Sequence, residues 1–178
     1  MTTIYLIRHG QASFGAESYD KLSPNGELQA KLLGQYFNQI LKQEPYVVAG
    51  SMQRHQQTAN LALAECFPEA EIQTDNAWNE FNHQQVFAQY EPRFNEPHLL
   101  KQDVENEVNP RAYLAKIFEG AIERWTGGDY HHEYDESWPD FKSRVETALQ
   151  NLCDELAKTK PRYAVVFTSG GVISVAAG

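Results

Sequence analysis

Residues 3 to 7, Thr-Ile-Tyr-Leu-Ile, form a short and almost continuously apolar run that ends abruptly in Arg8-His9-Gly10. A run of that kind suits a strand buried on both faces by helices. Ser23-Pro24 then supplies an N-cap residue and a proline at the first helical position. Leu28, Leu32, Tyr36 and Ile40 recur every four residues, with Leu33, Phe37 and Leu41 beside them, which predicts a helix with one broad apolar face. Further strands are predicted over residues 46 to 49, 71 to 75 and 162 to 167, and a helix follows Gly50-Ser51 through about Cys66. This order of strand, loop and helix predicts an α/β fold with a mainly parallel sheet and helices on both faces. Ligands of such sheets sit beyond the carboxyl ends of the strands, the edge that His9 and Ser51 occupy.

The pattern breaks between Trp78 and about Pro110 into a polar, aromatic stretch without a clear period. Long irregular segments in compact domains are often binding loops. We therefore expect an insertion over the site at about residues 78–138, inside one domain spanning residues 1–178. A helix from Arg111 turns Tyr113, Ile117, Ala121 and Trp125 one way. Another opens at Trp138-Pro139 with Phe141, Val145, Leu149, Leu152 and Leu156 on its buried side. The chain stops shortly after Thr168-Ser169-Gly170-Gly171, where a helix should be covering the sheet, so an incomplete C-terminal end is expected.

Composition narrows the partners. The net charge of -9 gives no overall attraction to nucleic acid or anionic lipid, so an anion site must be a local positive focus. No apolar run reaches the ~18 residues of a membrane span, and the N-terminus lacks a secretory signal pattern. The reading is a cytoplasmic protein without nucleic-acid or membrane partners. Oligomeric state stays open. Cys66 and Cys153 lie far apart without CxxC spacing, which predicts two reduced, buried thiols.

At a strand's carboxyl edge, Arg8-His9-Gly10 brings together a fixed cation, an imidazole and a backbone that a ligand can approach closely. Arginine grips phosphate oxygens with a bidentate fork, and neutral imidazole is a nucleophile near neutral pH. Two further segments follow in order. They are Leu22-Ser23-Pro24-Asn25-Gly26-Glu27-Leu28-Gln29-Ala30 and Ser51-Met52-Gln53-Arg54-His55-Gln56-Gln57-Thr58-Ala59. In these motifs the sequence resembles the histidine phosphatase superfamily, the phosphoglycerate mutase-like family. Trp78-Asn79-Glu80-Phe81 and Glu136-Ser137 with Arg144-Val145 extend the resemblance along nearly the whole chain.

The resemblance implies a three-layer αβα sandwich in which His9 accepts a phosphoryl group and Glu80 protonates the leaving group. Arg8 and Arg54, with Gln11, Ser169 and Gly170, would bind the phosphate. It implies no cofactor and no metal, and a phosphorylated small molecule or inorganic phosphate as partner. A carboxyl group partly desolvated beneath a covering segment can hold a proton near neutral pH, and guanidiniums stabilise charge on the equatorial oxygens. The expected activity is a metal-independent phosphatase for phosphomonoesters.

The sequence departs from the family at Ser23, which replaces threonine, at Asp135, which replaces glycine, and at two positions that bear on the chemistry. Ser169 stands where a second histidine is usual, and Gly15 where many members have asparagine. Serine donates one hydrogen bond without charge, and loss of one preorganised donor costs about 10²–10³ in rate. A noncatalytic phospholigand-binding protein of the same fold is therefore the alternative, with a phosphoglycerate mutase behind it. His83 is a candidate substitute for the missing histidine, and His55, one residue past Arg54 on the helix, is a further candidate for ligand contact. Adjacent His131 and His132 in an extended loop would point opposite ways, which disfavours a shared metal.

Overall fold

The computed structural model describes residues 1–13 and 20–178. Its elements run β1 (Thr3–Arg8), α1 (Pro24–Ile40), β2 (Tyr46–Ala49), α2 (Gln53–Ala64), β3 (Ile72–Thr74), α3 (His83–Tyr90), α4 (Pro97–Glu105), α5 (Pro110–Thr126), α6 (Trp138–Thr159), β4 (Tyr163–Thr168) and α7 (Gly170–Ala177). The four strands are all parallel, in the order β1-β4-β2-β3. The fold is the expected three-layer α/β sandwich. Side chains alternate across each strand, so Val47, Ala49, Tyr163, Val165 and Phe167 share one face. They form a buried core with Phe37 and Leu41 at the end of α1 and with Ala59, Ala62 and Leu63 of α2. Val48, Ala164, Val166 and Thr168 are buried on the other face.

Three sequence expectations need correction. Strand β1 is an edge strand of intermediate burial; the strand buried throughout is β4, because it lies between β1 and β2. The face of α1 is also displaced. Leu28, Leu32 and Tyr36 are 54%, 52% and 55% exposed, while Gly26, Ala30, Gly34 and Phe37 are buried. The reason is close helix packing. A Cβ on Gly34 would strike the carbonyl of Ala62, so small residues, rather than the larger apolar ones, face α2. Cys66 is half-buried with its thiol donating to the Ala62 carbonyl, and Cys153 is exposed, so the thiols are free without being buried as expected.

The chain divides into two compact units, Met1–Glu80 with Arg144–Gly178, and Phe81–Ser143. The second unit holds α3 to α5 and the start of α6. Its centre is aromatic: the ring of Trp125 lies 4.6 Å from Phe81, 5.3 Å from Trp138 and 5.4 Å from Phe141. Trp125 also donates its indole N–H to the Glu136 carbonyl at 3.0 Å. Residues 129–135 contain a short 3-10 turn at His131–Glu133, where Arg124 pairs with Glu133 and donates to the Tyr134 hydroxyl. Among the described residues no helix is long and apolar enough to cross a membrane.

Candidate active site

Hydrogen bonds of the sheet continue past its carboxyl edge and bring the first unit's motifs together. His9 N donates to the Thr168 carbonyl and Gly50 N to the Phe167 carbonyl, each at 3.0 Å. His9, Gly50 and Ser169 consequently leave the sheet side by side. The β1–α1 connection is tied to α1 as well: Gln11 N donates to Gln29 Oε1 at 2.9 Å, and Ser23 N donates to the Gln11 carbonyl at 2.8 Å. Ser23 also caps α1 by accepting from Gly26 N.

The tautomer of His9 follows from its two contacts. Nδ1 lies 2.6 Å from the Gly10 carbonyl, which can only accept, so the ring proton sits there. Nε2 keeps its lone pair and accepts from Arg54 Nε at 3.3 Å. Burial, aided by the Arg54 and Arg8 charges, lowers the pKa of His9 below 6.5, against the opposing pull of the Gly10 bond and Asp20. The imidazole is a neutral base with its lone pair facing a cation.

The other expected residues of this unit each have a definite neighbour. Arg54 lies in the first turn of α2, buried, and its Nη1 is held by Asp20 Oδ1 at 2.7 Å. Asp20 Oδ2 also accepts from Gln53 N, so one carboxylate fixes both the start of α2 and the guanidinium. The Arg8 side chain runs beside Gly170, where a Cβ would stand 3.5 Å from its Nε. Glu80 is 8% exposed, and its Oε2 accepts from Gly171 N at 2.9 Å in the first turn of α7. Gln11 presents its amide oxygen to the Ser23 hydroxyl at 3.0 Å. Ser169 is buried, and its Oγ lies 2.6 Å from Nε2 of His55.

Several motif residues hold backbone in place. Gln57 accepts from Leu22 N at 2.8 Å, and Thr58 donates to the Arg54 carbonyl at 2.7 Å. Asn79 binds Ser51 twice, through Oδ1 to its N–H and through Nδ2 to its hydroxyl, both at 2.7 Å. Arg144 donates to the carbonyls of Ala77 and Asn79 at 2.9 and 2.8 Å, bracing the turn that carries Glu80. Sequence motifs alone do not mark Asp20, Asn79 or His55 as site residues. The one available signal was the coincidence of a histidine lost at 169 and a histidine present beside Arg54. His83 opens α3 in the second unit, its ring 4.4 Å from Phe81 and stacked on Phe87. Gly15 lies outside the described residues.

The sequence matches the histidine phosphatase superfamily (branch 1) over residues 4–178, and the chain belongs to that superfamily. Solved structures of the same fold include phosphoglycerate mutase from Bacillus anthracis str. Sterne, 18% identical, with a TM-score of 0.66 over 98% of this chain and 77% of that one. A mycobacterial glucosyl-3-phosphoglycerate phosphatase with inorganic phosphate is 19% identical, with a TM-score of 0.57 over 97% and 75%. A phosphoserine phosphatase mutant from Entamoeba histolytica in complex with phosphoserine is 14% identical, with a TM-score of 0.58 over 99% and 78%. No curated protein matches the sequence.

Proposed function

We propose that this protein hydrolyses phosphomonoesters through a phosphohistidine at His9. The observation that carries the reading is the fixed tautomer of His9, with Nδ1–H on the Gly10 carbonyl and the Nε2 lone pair directed at Arg54. In the first step Nε2 bonds to phosphorus and the ester P–O bond breaks. The departing oxygen takes the proton of the Glu80 carboxyl group and leaves as the alcohol. Phosphorylation places positive charge on the ring, which the Gly10 carbonyl stabilises at Nδ1–H. Arg8 and Arg54 hold the phosphoryl oxygens, with Gln11, Ser169 and Gly170 as further contacts, and supply the positive field that this transfer requires without a metal. In the second step Glu80 removes a proton from water, the water oxygen bonds to phosphorus and the P–N bond breaks, releasing orthophosphate and restoring both groups. Relatives of the same fold that carry phosphate or phosphoserine support a phosphorylated small molecule as substrate.

The second reading is a noncatalytic phospholigand binder, favoured by serine rather than histidine at position 169. A panel of phosphomonoesters in the presence of chelator separates the two. Turnover by the wild type that falls by about 10⁴ or more in His9→Ala is expected. Inorganic phosphate binding with no turnover on any ester would favour the binder. Isomerisation of 3-phosphoglycerate with its bisphosphate primer, without phosphate release, would make it a mutase.

A further inference from the structure

His55 is a fully enclosed polar side chain near His9. It is 0% exposed, its ring centroid lies 5.8 Å from that of His9, and its Nε2 is 2.6 Å from Ser169 Oγ. Its Nδ1 is buried with no hydrogen-bond partner. The ring occupies a prepared space, because a Cβ on Gly50 would strike Nδ1. Ser169 behaves unusually too. It is the N-cap residue of α7, yet its hydroxyl makes no capping bond and turns to His55 instead. Its backbone follows Thr168, whose carbonyl accepts from His9 N, so Ser169 leaves the sheet one residue past that bond.

We propose that His55 is a positioning residue that donates its Nε2–H to Ser169 Oγ, turning the Ser169 O–H toward a phosphoryl oxygen carried at His9. A histidine of the second helix and a serine of the last strand's loop would thus together provide the donor that the family takes from one histidine at position 169. The direction of the bond follows from satisfaction of donors. Were the serine to donate to Nε2, its only proton would be spent, and the ring proton would lie on Nδ1 as a buried donor without an acceptor, which is rare and costly. With the proton on Nε2, only a bare lone pair is left at Nδ1. Burial, first, and the charge of Arg54 hold the His55 pKa down at about 3, so the ring carries a single proton at neutral pH. The pair also adds no charge to a cradle that already contains Arg8 and Arg54.

This proposal rests on the phosphohydrolase reading, and two measurements keep their failures apart. The first is turnover of p-nitrophenyl phosphate, whose leaving group makes little demand on Glu80. Ser169→Ala and His55→Leu are each expected to lower kcat by about 10² while KM moves far less. The double variant should lose no more than either single one, because the two residues act as one donor. His55→Gln, whose amide can present an N–H where Nε2 stood, should recover most of the rate. An unchanged kcat in His55→Leu, or additive losses in the double variant, would overturn the pair. The second measurement is the imidazole nitrogen NMR spectrum of the wild type. It should show His55 protonated at Nε2 and its resonance moving on addition of inorganic phosphate, with no movement in Ser169→Ala. A proton on Nδ1 would overturn the proposal whatever the turnover. Movement with phosphate in a protein that turns over no ester would retain the donor pair and discard the hydrolase.

Discussion

The two units of the chain are built on different principles. In the first, small polar groups are fixed by directional bonds between residues remote in sequence: Gln57 on Leu22, Asn79 on Ser51, Arg144 on Ala77 and Glu80 on Gly171. In the second, Phe81, Trp125, Trp138 and Phe141 pack as a cluster of rings, while the bonds of Gln85 to Asp135 N and of Gln89 to the Glu133 carbonyl lie at the surface. Directional bonds locate atoms to fractions of an ångström, whereas apolar area contributes energy with little orientation. The unit that holds the proposed chemistry adds a network of directional bonds to its apolar core, whereas the other is centred on its ring cluster.

That contrast is most easily broken at Trp125. Trp125→Ala should cost about 3–5 kcal/mol in denaturant unfolding, since it removes the ring at the centre of the cluster. Inorganic phosphate affinity of the remaining folded protein should be retained. A loss of affinity as large as the loss of stability would show that the two units are not energetically separable.

A second test exploits the buried histidines of the first unit. The pKa of His55 falls from 6.5 to about 3, so the unfolded chain takes up a proton that the fold excludes. Stability is therefore fully present above about pH 6.5 and is lost as pH falls from there toward 3, by up to about 1.4 kcal/mol per pH unit for this group. His9, also lowered, adds to the loss below 6.5. Unfolding curves at pH 7 and pH 5 should show a smaller acid loss in His55→Gln than in the wild type; an equal loss would place the sensitivity elsewhere. Activity should likewise decline only below the ordinary histidine range, where His9 gains a proton on Nε2.

The smallest effects sharpen the account of α1. Gly34→Ala should cost about 1–3 kcal/mol by forcing α1 away from α2. Leu32→Ser on the exposed stripe should stay within about 0.5 kcal/mol. The reverse ranking would restore the face predicted from periodicity.

The strands, their parallel order of appearance and the edge carrying His9 were legible in sequence, because short apolar runs and helix caps are local signals. The face of α1 was not, because hydrophobicity gives no weight to Gly34 and Ala30, whose smallness is what lets two backbones approach. The burial of β1 is not legible for a related reason: a strand's neighbours are a property of sheet order, which the apolar run itself does not contain. Arg8, His9, Arg54 and Glu80 are marked as candidates by motif order. Asp20 and His55 are not, since their meaning lies in contacts across 34 and 114 residues. Periodicity and spacing do not reach that far.

The central claim, that Nε2 of His9 is the atom that accepts the phosphoryl group, is tested most directly by trapping the enzyme during turnover at alkaline pH and locating phosphorus by phosphorus–nitrogen NMR. The account predicts one phosphorylated residue, His9, with the P–N bond at Nε2 and the proton still on Nδ1. Phosphorus on Nδ1, on Ser169, or on no residue of a protein that is actively releasing phosphate would contradict it.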